Sequence, residues 1–202
     1  MIEIATLMRT APVIPVLIID DPDHAVPLAQ ALVAGGLPVL EVTLRTPAAL
    51  EVIAEMARVP GAIVGAGTVL NPADLDAALA AGAQFIVSPG LSDPLARAAI
   101  AAGAAFLPGV TNAGDIMRGL DLGLSRFKFF PAVASGGLPV VSALAAVFGA
   151  ARFCPTGGIS AATAPEWLSQ RFVDCVGGSW LAGRGETDWA AIEARARVAA
   201  QF

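Results

Sequence analysis

The sequence predicts an α/β protein: a single (β/α)8 TIM barrel of residues 1–202, near the minimal size for that fold, with a short N-terminal helix. Three observations carry this expectation. Short β-rich runs alternate with alanine- and leucine-rich helical runs along the whole chain, in about eight β-α units. Glycines punctuate the helix exits at Gly35-Gly36, Gly82 and Gly103, where a left-handed residue is often needed. A chain of 202 residues, 56% of them hydrophobic, is also long enough to bury a real core.

In chain order, the first strand candidate, Val13–Ile19, runs into Asp20-Asp21-Pro22-Asp23, which leads to a helix with His24 at its start. Val39–Leu44 and Ile63–Thr68 are the second and third strands, and Asn71-Pro72 opens the helix that follows. Gln84–Ser88 is the fourth, with Ser92-Asp93-Pro94 as the next helix start. Ala105–Gly109 precedes a start signal at Thr111-Asn112, and Arg126–Phe130, Ala151–Pro155 and Val173–Gly177 complete the series. The structural alternative is an open doubly wound sheet. Its fingerprint would rest on Gly65-Ala66-Gly67, but the next glycine is missing and no acidic ribose partner is evident.

Composition removes several function classes. Charged residues make up only 14% and mean hydropathy is +0.71, which suggests apolar area buried between subunits. The longest uncharged stretch, Phe129 to Ala151, is broken by Pro131, Gly136-Gly137 and Pro139, leaving too little to span a bilayer. The N-terminus carries Glu3 and Arg9 without an apolar core or cleavage pattern, so no secretory signal is expected. Cys154 and Cys175 fall in predicted strands and suggest no disulfide framework, which fits the cytoplasm. A net charge of −5 without a basic cluster argues against nucleic acid.

Lys128 is the only lysine, against eleven arginines, and it stands among phenylalanines in Arg126-Phe127-Lys128-Phe129-Phe130-Pro131. A desolvated lysine can lose its proton and act as an amine nucleophile, which arginine cannot readily do. Period-two alternation places Lys128 with Phe130 on one face of its strand. It also places Glu41, Thr43 and Arg45 together, opposite the aliphatic face of Leu40, Val42 and Leu44, so the charged face should point into the barrel. Thr68 closes the third strand. The plain reading is a structural charge network, but buried ion pairs seldom add much net stability. Charges at the C-terminal ends of barrel strands therefore point to chemistry, with Glu41 as acid/base candidate.

Two glycine-rich turns, Thr156-Gly157-Gly158 after the seventh strand and Gly177-Gly178-Ser179 after the eighth, suit a phosphate held by bare backbone N–H groups. Thr156 and Ser179 could add hydroxyl donors. His24, the only histidine, reads as a surface residue; no metal-ligand spacing, no Ser-His-Asp set and no tyrosine is present.

The segments Glu41-Val42-Thr43-Leu44-Arg45-Thr46, Val64-Gly65-Ala66-Gly67-Thr68-Val69-Leu70, Phe127-Lys128-Phe129-Phe130-Pro131, Cys154-Pro155-Thr156-Gly157-Gly158-Ile159 and Gly177-Gly178-Ser179-Trp180-Leu181 resemble the 2-keto-3-deoxy-6-phosphogluconate (KDPG) aldolase family, in its order and over nearly the whole chain. The resemblance implies a class I, Schiff-base aldolase of the Entner–Doudoroff pathway, a trimeric cytoplasmic barrel without metal or cofactor that also accepts 4-hydroxy-2-oxoglutarate. It implies Lys128 as the imine-forming lysine and Glu41 as the general acid/base. Arg45 and Thr68 match the residues at the pyruvate carboxylate, Pro89 and Phe130 line the pocket, and Thr156, Gly157, Gly158 and Ser179 match the phosphate end. The galactonate epimer as substrate, or a non-catalytic phosphosugar-binding barrel, are the alternatives. Two departures stand out: Val133, where the family commonly carries glutamate, and a shortened tail through Gly183-Arg184-Gly185.

Overall fold

The alternation read from the sequence is present in the computed structural model, which describes residues 2–202. Helix α1 (Ile4–Met8) precedes β1 (Val13–Leu17), and a 3-10 turn at Pro22–His24 leads into α2 (Ala25–Ala34). Then follow β2 (Val39–Thr43), α3 (Ala49–Met56), β3 (Ile63–Gly67), α4 (Pro72–Ala80), β4 (Phe85–Val87), α5 (Asp93–Ala101) and β5 (Ala105–Leu107). The second half contains β6 (Gly109–Val110), α6 (Ala113–Asp121), β7 (Arg126–Phe129) and α7 (Gly137–Val147). It ends with β8 (Arg152–Pro155), α8 (Ala164–Leu168), β9 (Val176–Gly178) and α9 (Trp189–Ala199).

Pairing among the named strands is parallel, as expected when each returns through a helix. One sheet has the order β5-β4-β3-β2-β1-β9 and the other β6-β7-β8. Isolated parallel bridges, Phe153↔Val173 and Thr156↔Gly177, join the β8 side to β9, and Pro108 alone separates β5 from β6. The sheet is thus curled, with two distinct faces. Outside, Leu40, Val42, Val64, Phe127, Phe129 and Phe153 pack with helix residues such as Leu32, Ile53 and Ile116. Inside, Ile14, Val39, Phe85, Val87, Leu107, Cys154 and Cys175 pack together, joined by Leu7 and Met8 of α1. This is the period-two segregation that the sequence predicts.

Six strands fall one or two residues short of their predicted bounds, as β1 does at Leu17, and two more elements depart further. The fifth strand breaks at Pro108, whose missing N–H interrupts the ladder while its carbonyl still accepts from Lys128 N at 2.8 Å. Its flank changes partner there: Leu107 O accepts from Ser88 N, whereas Gly109 and Val110 pair with β7. The last strand begins at Val176, not Val173: Val173 makes only an isolated bridge to Phe153, and Asp174 forms an ion pair with Arg126 (Nε–Oδ2 3.2 Å). Asn71 and Asn112 cap α4 and α6 by accepting from Asp74 N and Asp115 N, whereas the Ser92 side chain makes no such bond. Of the predicted helix exits, Gly36, Gly82 and Gly103 have positive φ, and Gly35 does not.

His24 is half-buried, not free on the surface, and meets Trp189 edge-on with ring centroids 5.5 Å apart. Cys154 and Cys175 are buried free thiols, and a hydrogen bond with Cys154, together with burial, pushes the Cys175 thiol well up. Among the described residues, no helix is long and apolar enough to cross a membrane.

Gly119 of α6 faces Phe127 so closely that a Cβ would lie 2.3 Å from its ring. Alanine would gain about 1 kcal/mol of helix propensity but overpack a fully buried ring, which costs about 1–3 kcal/mol. The expected outcome for Gly119→Ala is a lower urea midpoint with an unchanged m-value; a raised midpoint would reject the packing argument.

Candidate active site

Parallel register lays one layer of residues across the sheet: Val16, Glu41, Gly65, Phe85 and Ala105 are successive partners from β1 to β5. Across the interior stands Lys128, whose own partners are Gly109 and Cys154. Lys128 Nζ donates to Glu41 Oε1 at 3.1 Å, with the two side chains only 6% and 4% exposed. The Lys128 ammonium also lies 5.1 Å from the Phe130 ring centroid, so the aromatic face provides the remaining electrostatic support. An amine and a carboxylate at this separation can pass a proton directly, and burial keeps water from competing for it.

Glycine creates the room for this pair. A Cβ on Gly67 would fall 2.2 Å from Glu41 Oε1, and one on Gly65 would strike the Phe85 ring at 2.5 Å. The Gly65-Ala66-Gly67 pair, weighed in the sequence against a nucleotide fingerprint, is therefore a cradle for an aromatic ring and a carboxylate. A glycine inside a strand pattern is the available signal for such a close approach. Just beyond it, Thr68 takes φ +59°, a left-handed conformation costly for a β-branched residue, which turns its hydroxyl-bearing side chain at the strand end. Thr43 is buried on the Glu41 face and donates to Leu17 O at 2.9 Å, fastening β2 to β1. Ser88, also buried, donates to Gly90 O at 2.6 Å and shapes the turn at Pro89. The parity of Thr43 with Glu41 was legible in the sequence; the role of Ser88 was not.

Pro89 is half-buried, with its carbonyl 2.1 Å from where a Cβ would stand on Gly109, the register partner of Lys128. Arg45 departs from the predicted alternation. Strand β2 ends at Thr43, and a tight bond from Arg45 N to Thr43 O (2.7 Å) breaks the alternation. Its side chain is exposed, whereas Glu41 and Thr43 are buried.

The two glycine turns meet at this end of the sheet. Thr156 is buried against Gly177, where a Cβ would lie 2.2 Å from Thr156 Oγ1. Gly157 and Gly158 have φ of +101° and +80°, which a side chain would oppose. Ala132 N and Val133 N donate to Thr156 O and Gly157 O at 2.8 and 3.1 Å, tying the loop after Phe130 to the first turn. Val133 is 51% exposed and would touch any Cβ placed on Gly158. Ser179 is exposed on the second turn. A 410 Å³ hollow beside Ser142, Arg152 and Phe172 and a 290 Å³ cavity beside Ile4, Phe106 and Arg126 include neither Lys128 nor Glu41. Among the described residues, no cluster of three or more His, Cys, Asp or Glu side chains could hold a metal ion.

Known proteins resemble this chain in sequence and in fold. The family model for KDPG and KHG aldolase matches residues 4–195. A 2-dehydro-3-deoxy-phosphogluconate aldolase of Zymomonas mobilis is 58% identical over 200 residues, covering 99% of this chain and 96% of the relative. The crystal structure of the Zymomonas mobilis ZM4 2-keto-3-deoxy-6-phosphogluconate aldolase with 3-phosphoglycerate superimposes with a TM-score of 0.97, covering 98% of this chain and 95% of that one. A Legionella pneumophila KDPG aldolase, with pyruvate captured as a covalent carbinolamine intermediate, has a TM-score of 0.96 at 39% identity and covers 98% of each chain.

Substituting Gly67→Ala should push the Glu41 carboxylate off Lys128. The expected result in a crystal structure of the variant is loss of the Lys128–Glu41 hydrogen bond, with stability lowered by about 1–3 kcal/mol. An intact pair in that structure would refute the cradle.

Proposed function

The chain belongs to the KDPG and KHG aldolase family, and on that footing we propose that it is a class I aldolase which cleaves KDPG to pyruvate and D-glyceraldehyde 3-phosphate. The observation that carries the proposal is the buried contact of Lys128 Nζ with Glu41 Oε1 at 3.1 Å. Transfer of the ammonium proton to the carboxylate leaves a neutral amine beside a carboxylic acid, a pairing that favours imine formation. The covalent carbinolamine in the Legionella relative supports the same chemistry here.

Lys128 Nζ attacks the C2 ketone, and the carbinolamine hydroxyl leaves as water with the proton that Glu41 had taken from the ammonium, so that an iminium ion forms and Glu41 is ionised again. The ionised Glu41 then takes the C4 hydroxyl proton. The C3–C4 electron pair moves into the iminium, which becomes an enamine as glyceraldehyde 3-phosphate departs. Glu41 returns its proton to C3, and water hydrolyses the resulting imine to pyruvate and free lysine. The iminium is the electron sink, so the sequence of steps calls for no metal and no cofactor. Arg45 and Thr68 take the substrate carboxylate, with Pro89 and Phe130 lining that end; Arg45 would swing in from the rim as the anion arrives. Thr156, Gly157, Gly158 and Ser179 take the phosphate, a role supported by the 3-phosphoglycerate bound to the Zymomonas relative. Activity on 4-hydroxy-2-oxoglutarate fits the same pyruvate end, and the family, KDPG and KHG aldolase, supports it.

We read the curled sheet as a (β/α)8 barrel in which β5 and β6 are one strand interrupted at Pro108. The assembly is read as a cytoplasmic homotrimer; exposed Leu70, Met117, Val133 and Val147, which are between 51% and 75% accessible, supply apolar surface for subunit contacts. Light scattering should give about three times the 20.3 kDa chain mass, and a monomer mass would reject it.

Borohydride reduction in the presence of pyruvate should leave one adduct, on the peptide containing Lys128; unmodified protein would sink the mechanism. Glu41→Gln should still trap pyruvate but cleave KDPG roughly 10²–10⁴-fold more slowly. Full turnover in that variant would remove Glu41 from its role.

A further inference from the structure

The second glycine turn is fixed on its entering side by sheet pairing: Gly177 and Gly178 pair with Ile14 and Pro15 of β1, and Gly177 also bridges Thr156. On its leaving side no strand continues. Leu181 is fully buried, and the chain then runs through the loop that carries Gly183, Arg184 and Gly185 to α9. Something else must hold this exit, since Ser179 is exposed between the two sides.

Arg195 of α9 reaches back to it. Its Nε donates to Leu181 O at 2.9 Å, and its Nη2 donates to Glu186 Oε1 at 2.6 Å. Glu186 Oε2 in turn accepts from Gly183 N at 2.8 Å, so one guanidinium and one carboxylate span the loop from Leu181 to Glu186. The base is rigid: Ile192, Ala196 and Ala199 of α9 are buried, and a Cβ on Gly35 would lie 2.4 Å from Ala196 Cβ. Arg195, with the Gly183 N–H, holds the Glu186 carboxyl below the usual carboxylate range. Its ionised form is therefore complete at neutral pH, and the contact is lost only as pH falls through that lowered value.

We propose that Arg195 is a positioning residue for the phosphate end of the substrate, fastening the exit of the Gly177-Gly178-Ser179 turn through Leu181 O and Glu186. It touches no reacting atom. Its effect is confined to how well the turn presents Ser179 and its neighbouring N–H groups to a phosphate, and it leaves the Lys128–Glu41 pair across the sheet untouched. This inference rests on the aldolase reading above.

The test compares KDPG cleavage with borohydride trapping by pyruvate, which carries no phosphate. In Arg195→Gln the KM for KDPG should rise roughly tenfold, the effect of losing a charge-assisted hydrogen bond. Its kcat and the half-saturating pyruvate concentration should stay within about twofold, which RT-scale differences allow. Arg195→Lys, able to restore one of the two bonds, should recover part of the KM. An unmoved KM, or a pyruvate half-saturation that rises in step with it, would overturn the inference. If Arg195→Gln does not fold, Glu186→Gln carries the same split, and an unchanged KM there overturns it equally. A wild-type protein inert towards KDPG rejects the aldolase reading and this inference together, whereas an active wild type with unmoved variants rejects only the inference.

Discussion

An ammonium and a carboxylate held 3.1 Å apart and almost out of water set the terms for the strands around them. Removing two such charges from water costs several kcal/mol each, and their attraction repays it only when geometry and secondary contacts are good. The surrounding sheet supplies both. Glu41 and Lys128 come from strands on opposite sides of the interior, so the pair closes a distance that neither strand could bridge alone. The Phe130 ring stands by the ammonium, and the space behind Glu41 is kept free of any side chain.

That freedom explains where the protein spends its strand glycines. Gly65 and Gly67 lower the intrinsic stability of β3, since a strand glycine has more backbone entropy to lose and no side chain to pack. In exchange a buried aromatic and a carboxylate sit against bare backbone. Gly109 does the same for the Pro89 carbonyl next to Lys128, and Gly177 for the Thr156 hydroxyl. These close approaches recur at the carboxyl ends of the strands, around the candidate site. The interior below them is a tight apolar plug of Ile14, Phe85, Leu107 and two thiols, joined by Leu7 and Met8. Packing carries stability there, and the upper rim is left to polar chemistry.

The rim itself is held by loop-to-loop bonds more than by the sheet. Thr46 Oγ1 donates to Ile19 O at 2.6 Å, and Arg184 grips Asp20 with two bonds of 2.6 and 2.7 Å, holding that carboxyl below its ordinary range. The loop after Phe130 is tied to the turn at Gly157, and Arg195 ties the loop after Ser179 to α9. The two turns that meet at Thr156 and Gly177 are thus supported from different elements. The loop through Gly183-Arg184-Gly185 is held by ion pairs of Arg184 with Asp20 and of Arg195 with Glu186.

Much of this was written in the linear order of residues. Alternation of Leu40, Val42 and Leu44 with Val39 and Glu41 assigned the inner face of β2, because side-chain direction in a strand is fixed by parity. A lone lysine among phenylalanines marked β7 for the same reason, and the motif order identified the family. Parity fails where the backbone leaves the strand, as at Arg45, whose turn onto Thr43 O cannot be read from composition. Nor could the sequence tell whether Gly65-Ala66-Gly67 served a phosphate or made room, since that depends on Glu41 and Phe85 arriving from neighbouring strands. The sequence by itself determined the element series, the inward charges and the family. Tertiary structure alone decided the 3.1 Å contact, whose partners are 87 positions apart in the chain, and the Arg195 tie from α9 back to the loop after Ser179, because only packing sets those separations.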